Sequence, residues 1–110
     1  MEDTRVKNAC SETLVISLLK EGPMHGYEMC QVIEERSAGF FTFKHGTLYP
    51  LLHRLEKQGV LTSEWGEMES GKPRRYYRLT RAGERAHADH VQLWRELIAS
   101  LSALVPEVAT

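Results

Sequence analysis

Long apolar runs are absent from this sequence of 110 residues. None approaches the roughly 20 residues that a membrane-spanning helix needs. The first residues, Met1 to Arg5, also lack the cationic start and the apolar core of a signal peptide, so we expect a cytoplasmic protein. With 42% hydrophobic and 26% charged residues, the chain should form one soluble domain with an ordinary core.

Cysteine is scarce as well. Cys10 and Cys30 are the two cysteines, and neither belongs to a C-x-x-C motif. We therefore expect small, reduced core residues. A thiol-based redox sensor is the alternative, but neither residue has an evident cationic neighbour that would stabilise a thiolate.

Catalytic motifs are missing too. There is no H-E-x-x-H, no phosphate-binding glycine-rich loop and no G-x-S-x-G, and nothing places a nucleophile beside a base. His87 and His90 stand three residues apart and could present two imidazoles to a metal, but no third ligand is evident. We expect neither an enzyme nor a bound metal or cofactor.

Only two segments of the sequence carry a net positive charge. The net charge is only -1, yet residues 44–58 hold three Lys/Arg against one Asp/Glu, and residues 72–85 hold six against one. Because salt screens charges beyond about 8 to 10 Å, a local basic face can engage phosphate on an acidic protein. The alternative is a strand face that is merely solvated.

The first basic segment has the pattern of an amphipathic helix. Its leucines recur at steps of three and four residues, and its cationic side chains lie opposite them. The leucines are Leu48, Leu51, Leu52 and Leu55. Gly59 is expected to end the helix before a β-leaning run. Because a hairpin follows directly, we interpret this segment as a recognition helix with its wing.

Pro50 bears on where this helix begins. Proline lacks an N–H and is tolerated best in the first helical turn. A start at Thr47, with its hydroxyl as the N-cap, is therefore the prediction we favour. The alternative is a start near Lys44, which would leave the carbonyl of Gly46 without a partner.

Two more helices are predicted before it. Residues 6–20 read as a helix that is apolar on more than one side and stops at Gly22, so it must be covered from two directions. Residues 25–36 read as a second helix, with Tyr27, Cys30 and Ile33 on its inner face. Two helices followed by the cationic helix give the helix-turn-helix order.

From Val60 onward the periodicity changes to two, which predicts a two-stranded wing with a long tip. One of Tyr76 and Tyr77 should face inward, and the other is available to a phosphate. Cationic side chains lie at or beside the tip, where they can reach a duplex backbone. They are Lys72, Arg74 and Arg75.

The C-terminal segment predicts a long helix capped by Thr80. Its apolar positions form a seam like that of a coiled coil. The seam consists of His90, Trp94, Leu97, Leu101 and Leu104, flanked by Val91, Ile98 and Val105. A second copy of the chain is the simplest cover for such a stripe, with Leu97, Ile98, Leu101 and Leu104 in the interface. The alternative is that the helix folds onto its own domain.

Three motifs in this order resemble the PadR family of bacterial transcriptional regulators, over most of residues 13–85. They are Gly26-Tyr27-Glu28, Gly46-Thr47-Leu48-Tyr49-Pro50 with Arg54-Leu55-Glu56 and Gly59, and Gly71 to Thr80 with Ala82-Gly83. The short stretch after Thr80 resembles the small subfamily, which has a single C-terminal dimerisation helix. Lys44 is a departure, because the family often has a small capping residue there.

The resemblance implies a homodimer that binds a palindromic DNA operator and usually represses. The expected fold is α+β, mostly α: a winged helix-turn-helix over residues 1–80 with a two-stranded β wing, and a long dimerisation helix over residues 81–110. Lys44, His45 and Thr47 are expected nearest the bases, and Tyr49 nearer the phosphates. Lys72, Arg74 and Arg75 are expected at the backbone or in the minor groove.

Trp94 has two possible roles. It either packs the seam or, with its symmetry mate, lines a pocket for a flat, apolar effector, as in some small PadR-like regulators, together with Val91 and His90. Effector binding there would change the spacing of the recognition helices. A winged-helix module that recruits a protein and does not bind DNA is the alternative function, which the basic tip disfavours.

Overall fold

The computed structural model describes residues 4–109, with the side chains at positions 4, 5, 7 and 8 excepted. Helices α1, α2 and α3 cover Thr4–Lys20, Gly26–Arg36 and His45–Lys57. Strands β1, β2 and β3 cover Met24–His25, Leu61–Glu67 and Pro73–Leu79. Helix α4 covers Arg81–Leu104, and a short 3₁₀ turn, Pro106–Ala109, follows it. The mixed, mostly helical fold confirms the predicted fold class.

The core lies where the first three helices meet the sheet. Helix α3 contributes all four of the predicted leucines, each at most 7% exposed. Val15 and Ile16 of α1 and Met29 of α2 are fully buried beside them. Because burial of each such side chain removes apolar surface from water, these contacts fix the helices relative to one another.

The sheet has three antiparallel strands in the order β1-β3-β2. The hairpin of β2 and β3 is the predicted wing, with Leu61 opposite Leu79 and Glu67 opposite Pro73. The short strand β1 adds Met24 opposite Tyr77, and the sequence analysis missed it. Two residues are too few to show an alternating pattern, so only the pairing partner reveals such a strand.

Helix α3 begins at His45, with Lys44 as its N-cap and no side-chain capping bond. The predicted start at Thr47 is therefore wrong. The N–H groups of Thr47 and Leu48 both donate to the carbonyl of Lys44, at 2.9 and 3.0 Å, and these bonds close the first turn. The turn therefore forms ahead of Pro50, although proline offers no N–H to the carbonyl of Gly46.

The predicted helix boundaries at Gly59 and Thr80 are confirmed. Gly59 has φ +79° and follows the end of α3, as expected for a residue in the left-handed region. The hydroxyl of Thr80 accepts a bond from the N–H of Gly83 at 3.1 Å and so caps α4. Helix α2 is capped by His25, whose Nδ1 accepts from the N–H of Glu28 at 3.1 Å.

Helix α4 packs against α1 and then extends beyond it. Its first half is partly buried, whereas large apolar side chains in its second half are exposed. The molecule is accordingly elongated, with principal extents of 50 × 31 × 21 Å. Among the described residues, no helix is long and apolar enough to cross a membrane.

Candidate nucleic-acid interface

The first turn of α3 presents polar side chains to solvent. Lys44, His45 and Thr47 are all exposed, because the leucine stripe of the same helix faces the core. Tyr49 is half-buried. The four residues predicted to contact DNA from this helix therefore lie at one end of it, and Tyr49 among them also packs against the core.

An aromatic cluster holds this end of α3 against the start of α2. The ring of His45 lies edge-on to Tyr49 at 5.7 Å and to Tyr27 at 6.0 Å. A Cβ atom at Gly26 would lie 2.8 Å from the hydroxyl of Tyr49, so only glycine permits this approach. The predicted inward position of Tyr27 is wrong: it is 43% exposed, and Met29 takes the core position.

The two faces of the wing differ in what they carry. Tyr77 is 1% exposed and faces inward with Leu79, whereas Tyr76 lies on the other face, as the alternation allowed. Burial raises the pKa of Tyr77, and the nearby carboxylate of Glu56 raises it further. The C-terminal end of α3, which carries Glu56, therefore lies against the inner face of the wing.

A groove of about 260 Å³ separates α3 from the wing. Its lining combines aromatic and cationic side chains from both elements and includes no carboxylate: Tyr49, His53, Trp65, Pro73, Arg74, Arg75 and Tyr77. Lys72 is exposed at the turn next to Pro73. The structure thus brings Tyr49 of α3 together with Arg74 and Arg75 of the wing on one surface.

The predicted DNA-contacting residues do not include two residues of this groove. Trp65 is 69% exposed, although a tryptophan in a strand is normally expected in the core. His53 is exposed on the same face of α3 as Tyr49, one turn later. The available signal was the strand register, because Trp65 lies on the same face as the buried Leu61 but beyond the end of the core.

The C-terminal residues divide into two groups. His90 and Trp94 turn toward α1, where each places a ring nitrogen within hydrogen-bond distance of the Thr13 hydroxyl, at 2.6 and 2.7 Å. Val91 is half-buried beside them. The second group is exposed, with Leu97 at 41%, Ile98 at 60%, Leu101 at 43% and Leu104 at 81%.

The two cysteines lie in surroundings that disfavour a reactive thiolate. Cys10 and Cys30 are free and half-buried. Burial raises the pKa of both thiols, and Glu34 raises that of Cys30 further, so both favour the protonated form over the thiolate that redox sensing requires. In the described part of the chain, no three potential ligands are grouped around a metal position.

Comparison with known proteins places the chain in a family. The model of the "Transcriptional regulator PadR-like family" matches residues 15–89. The chain is 39% identical over 77 residues to the transcriptional regulator Rv3488 of Mycobacterium tuberculosis, which covers 70% of this chain and 68% of the relative. It belongs to the PadR-like family, whose members are transcriptional regulators and not enzymes.

Solved structures agree with this assignment. A transcriptional regulator from Clostridium thermocellum superposes with a TM-score of 0.83 at 30% identity, covering 96% of this chain and 99% of that one. PadR of Bacillus subtilis in complex with operator DNA superposes with a TM-score of 0.66 at 25% identity, covering 73% of this chain and 45% of that one. The winged helix-turn-helix interpretation is therefore confirmed.

Proposed function

We propose that this chain binds a palindromic DNA operator as a homodimer and represses transcription, and that a small effector weakens this binding. The observation that carries the DNA-binding part is the groove that Tyr49 and His53 of α3 share with Arg74 and Arg75 of the wing. The PadR–operator complex supports it, because that neighbour has the same fold and is bound to DNA. Binding to a bacterial chromosome would place the protein in the cytoplasm.

In this arrangement the start of α3 enters a major groove. Lys44, His45 and Thr47 face base edges, and Tyr49 faces a phosphate. Lys72, Arg74 and Arg75 of the wing contact the backbone or the minor groove, where they fix the register of the protein on the duplex. Two copies read half-sites about 34 to 36 Å apart, or a multiple of that distance.

The dimer contact is assigned to the second half of α4. Its apolar stripe is exposed in the single chain, and a second copy would remove that surface from water. The stripe consists of Leu97, Ile98, Leu101 and Leu104. We accordingly propose a division into a DNA-binding part, residues 1–80, and a dimerisation helix, residues 81–110, as in the small subfamily. Residues 1–3 and 110 lie outside the described part.

A flat, apolar effector is assigned to the region of His90, Val91 and Trp94. These residues lie where α4 leaves α1, next to the proposed dimer stripe. Oε1 of Glu12 in α1 lies 3.8 Å from Nε2 of His90, and Oε2 of Glu12 lies 3.6 Å from Nη2 of Arg54 in α3. Glu12 therefore links this region to the recognition helix. An effector would act only through a different affinity for the two spacings of the recognition helices.

A band-shift experiment with the DNA upstream of the protein's own coding sequence tests this proposal, together with light-scattering mass. We expect a shift at low salt and a mass of twice 12.6 kDa. An interaction module would leave the DNA unshifted at low salt. A mass of 12.6 kDa under the same conditions would contradict the proposed homodimer.

A further inference from the structure

Arg75 is held from two sides on the inner face of the wing. Its Nε donates a hydrogen bond to the hydroxyl of Ser63 at 2.8 Å, and its guanidinium carbon lies 5.6 Å from the centre of the Trp65 ring. Trp65 and Arg75 are directly opposite each other in the ladder of β2 and β3. A guanidinium at this distance from an indole is attracted by the negative charge of the ring face.

The Ser63 hydroxyl also connects the wing to α3. It donates to the carboxylate of Glu56, Oε2, at 2.6 Å while it accepts from Arg75. The chain of bonds from Glu56 through Ser63 to Arg75 therefore fixes the position of the arginine relative to the recognition helix. A rigid guanidinium loses less side-chain freedom when it binds an anion.

We infer that the groove between α3 and the wing takes one phosphate of the DNA backbone, and that Trp65 and Ser63 position Arg75 to bind it. The bonds described use Nε and the face of the guanidinium, which leaves its two terminal nitrogens for phosphate oxygens. Arg74 and His53 line the same groove. The sugar–phosphate backbone of one DNA strand runs between the major groove that α3 enters and the minor groove beside the wing. This inference rests on the proposed DNA binding.

Trp65 is then a residue that acts through Arg75 and not a base reader. Its indole lies beside the guanidinium, with 5.6 Å between the guanidinium carbon and the ring centre, and Trp65 itself is 69% exposed. An exposed cation–π contact of this kind corresponds to about a two- to fivefold change in affinity. Phenylalanine retains an aromatic face and should restore part of that factor, whereas alanine cannot.

The first test measures affinity for two labelled duplexes of equal length, one from the region upstream of the coding sequence and one unrelated. We expect Trp65→Ala to weaken both by about two- to fivefold and Trp65→Phe by less. In the double variant Trp65→Ala with Arg75→Ala, affinity should equal that of Arg75→Ala alone. Additive losses, or a loss confined to one duplex, would overturn the inference, the latter because phosphate contacts do not depend on sequence.

A second measurement follows the tryptophan directly. The chain has two tryptophans, and Trp65→Phe retains only Trp94, so the difference in quenching between the parent protein and this variant reports on Trp65. We expect either duplex to protect Trp65 from quenching by acrylamide, and Ser63→Ala to reduce that protection. Unchanged quenching in a DNA-bound sample would contradict the groove as the site. Failure of the parent protein to bind any DNA would instead overturn the proposed function together with this inference.

Discussion

The indole Nε1 of Trp94 donates a hydrogen bond to the hydroxyl of Thr13 at 2.7 Å, and so joins α4 to α1. An indole N–H can only donate, so the Thr13 oxygen accepts here and its own proton can go to Nδ1 of His90, 2.6 Å away. The other nitrogen of His90 then faces a carboxylate oxygen of Glu12 at 3.8 Å. One hydroxyl therefore holds two of the three residues in the proposed effector region.

Thr13→Val should test this contact. The substitution preserves the shape of the side chain but leaves both ring nitrogens without their partner. We expect the free energy of unfolding to fall by about 1 to 2 kcal/mol, measured from the urea midpoint at fixed protein concentration. Thr13→Ser retains the hydroxyl and is the matched control, with a smaller loss. Equal midpoints for Thr13→Val and the parent would mean that the bond contributes nothing.

Gly83→Ala should destabilise the junction between the wing and α4. A Cβ atom at this position would lie 2.2 Å from the carbonyl oxygen of Val60, a backbone atom that cannot move away freely. We expect a loss of about 2 to 3 kcal/mol in thermal or urea unfolding. Gly46→Ala is the control, because its Cβ would enter open space on a helix, and it should instead stabilise by about 0.5 to 1 kcal/mol.

Removing charge from the wing should change the salt dependence of DNA affinity. For Arg74→Ala with Arg75→Ala, we expect the log–log slope to flatten by about one unit for each lost phosphate contact. Arg95→Ala removes the same kind of charge from the exposed surface of α4 and should leave the slope as it is. A slope that stays constant in the double variant would exclude the wing from the binding face.

Leu97→Glu with Leu101→Glu should separate the proposed dimer. Two carboxylates in an apolar contact would lose their hydration without a partner, which costs more than the contact gains. We expect the light-scattering mass to fall from twice 12.6 kDa to 12.6 kDa. Ala103→Glu is the control, since Ala103 lies on the opposite side of α4 from this stripe. A dimer that survives the leucine substitutions would require another interface.

Tyr77 should make the fold sensitive to alkali. Burial raises the pKa of Tyr77 above its ordinary value of 10.0, so the folded protein keeps a proton that the unfolded chain releases near that pH. The contribution of Tyr77 to the free energy of unfolding is therefore fully present below about pH 10, and it is lost as the pH rises toward the higher pKa of the folded state. We expect Tyr77→Phe to flatten the decline of the melting temperature above pH 10. An identical decline in both proteins would assign the effect to other groups.

The positions where the predictions failed have a common physical cause. Strand β1 depends on pairing with Tyr76 and Tyr77, which are more than 50 residues away in the chain. The start of α3 depends on backbone bonds to Lys44, and these outweigh the cost of Pro50 inside the helix. The exposure of Trp65 depends on where the core ends along β2. None of these is a local property of the sequence.

The sequence by itself determined the four helices and the two wing strands, and their order. Local rules identify these elements because their signals act within a few residues. The signals are the leucines at steps of three and four residues, the alternation in the wing, the glycine at position 59 and the cap at Thr80. Only the tertiary structure decided which side chains meet, because Thr13 and Trp94 are brought together by the packing of α1 on α4. Likewise, the register of β2 against β3 and the docking of α3 place Ser63 between Glu56 and Arg75, with Trp65 beside the same arginine.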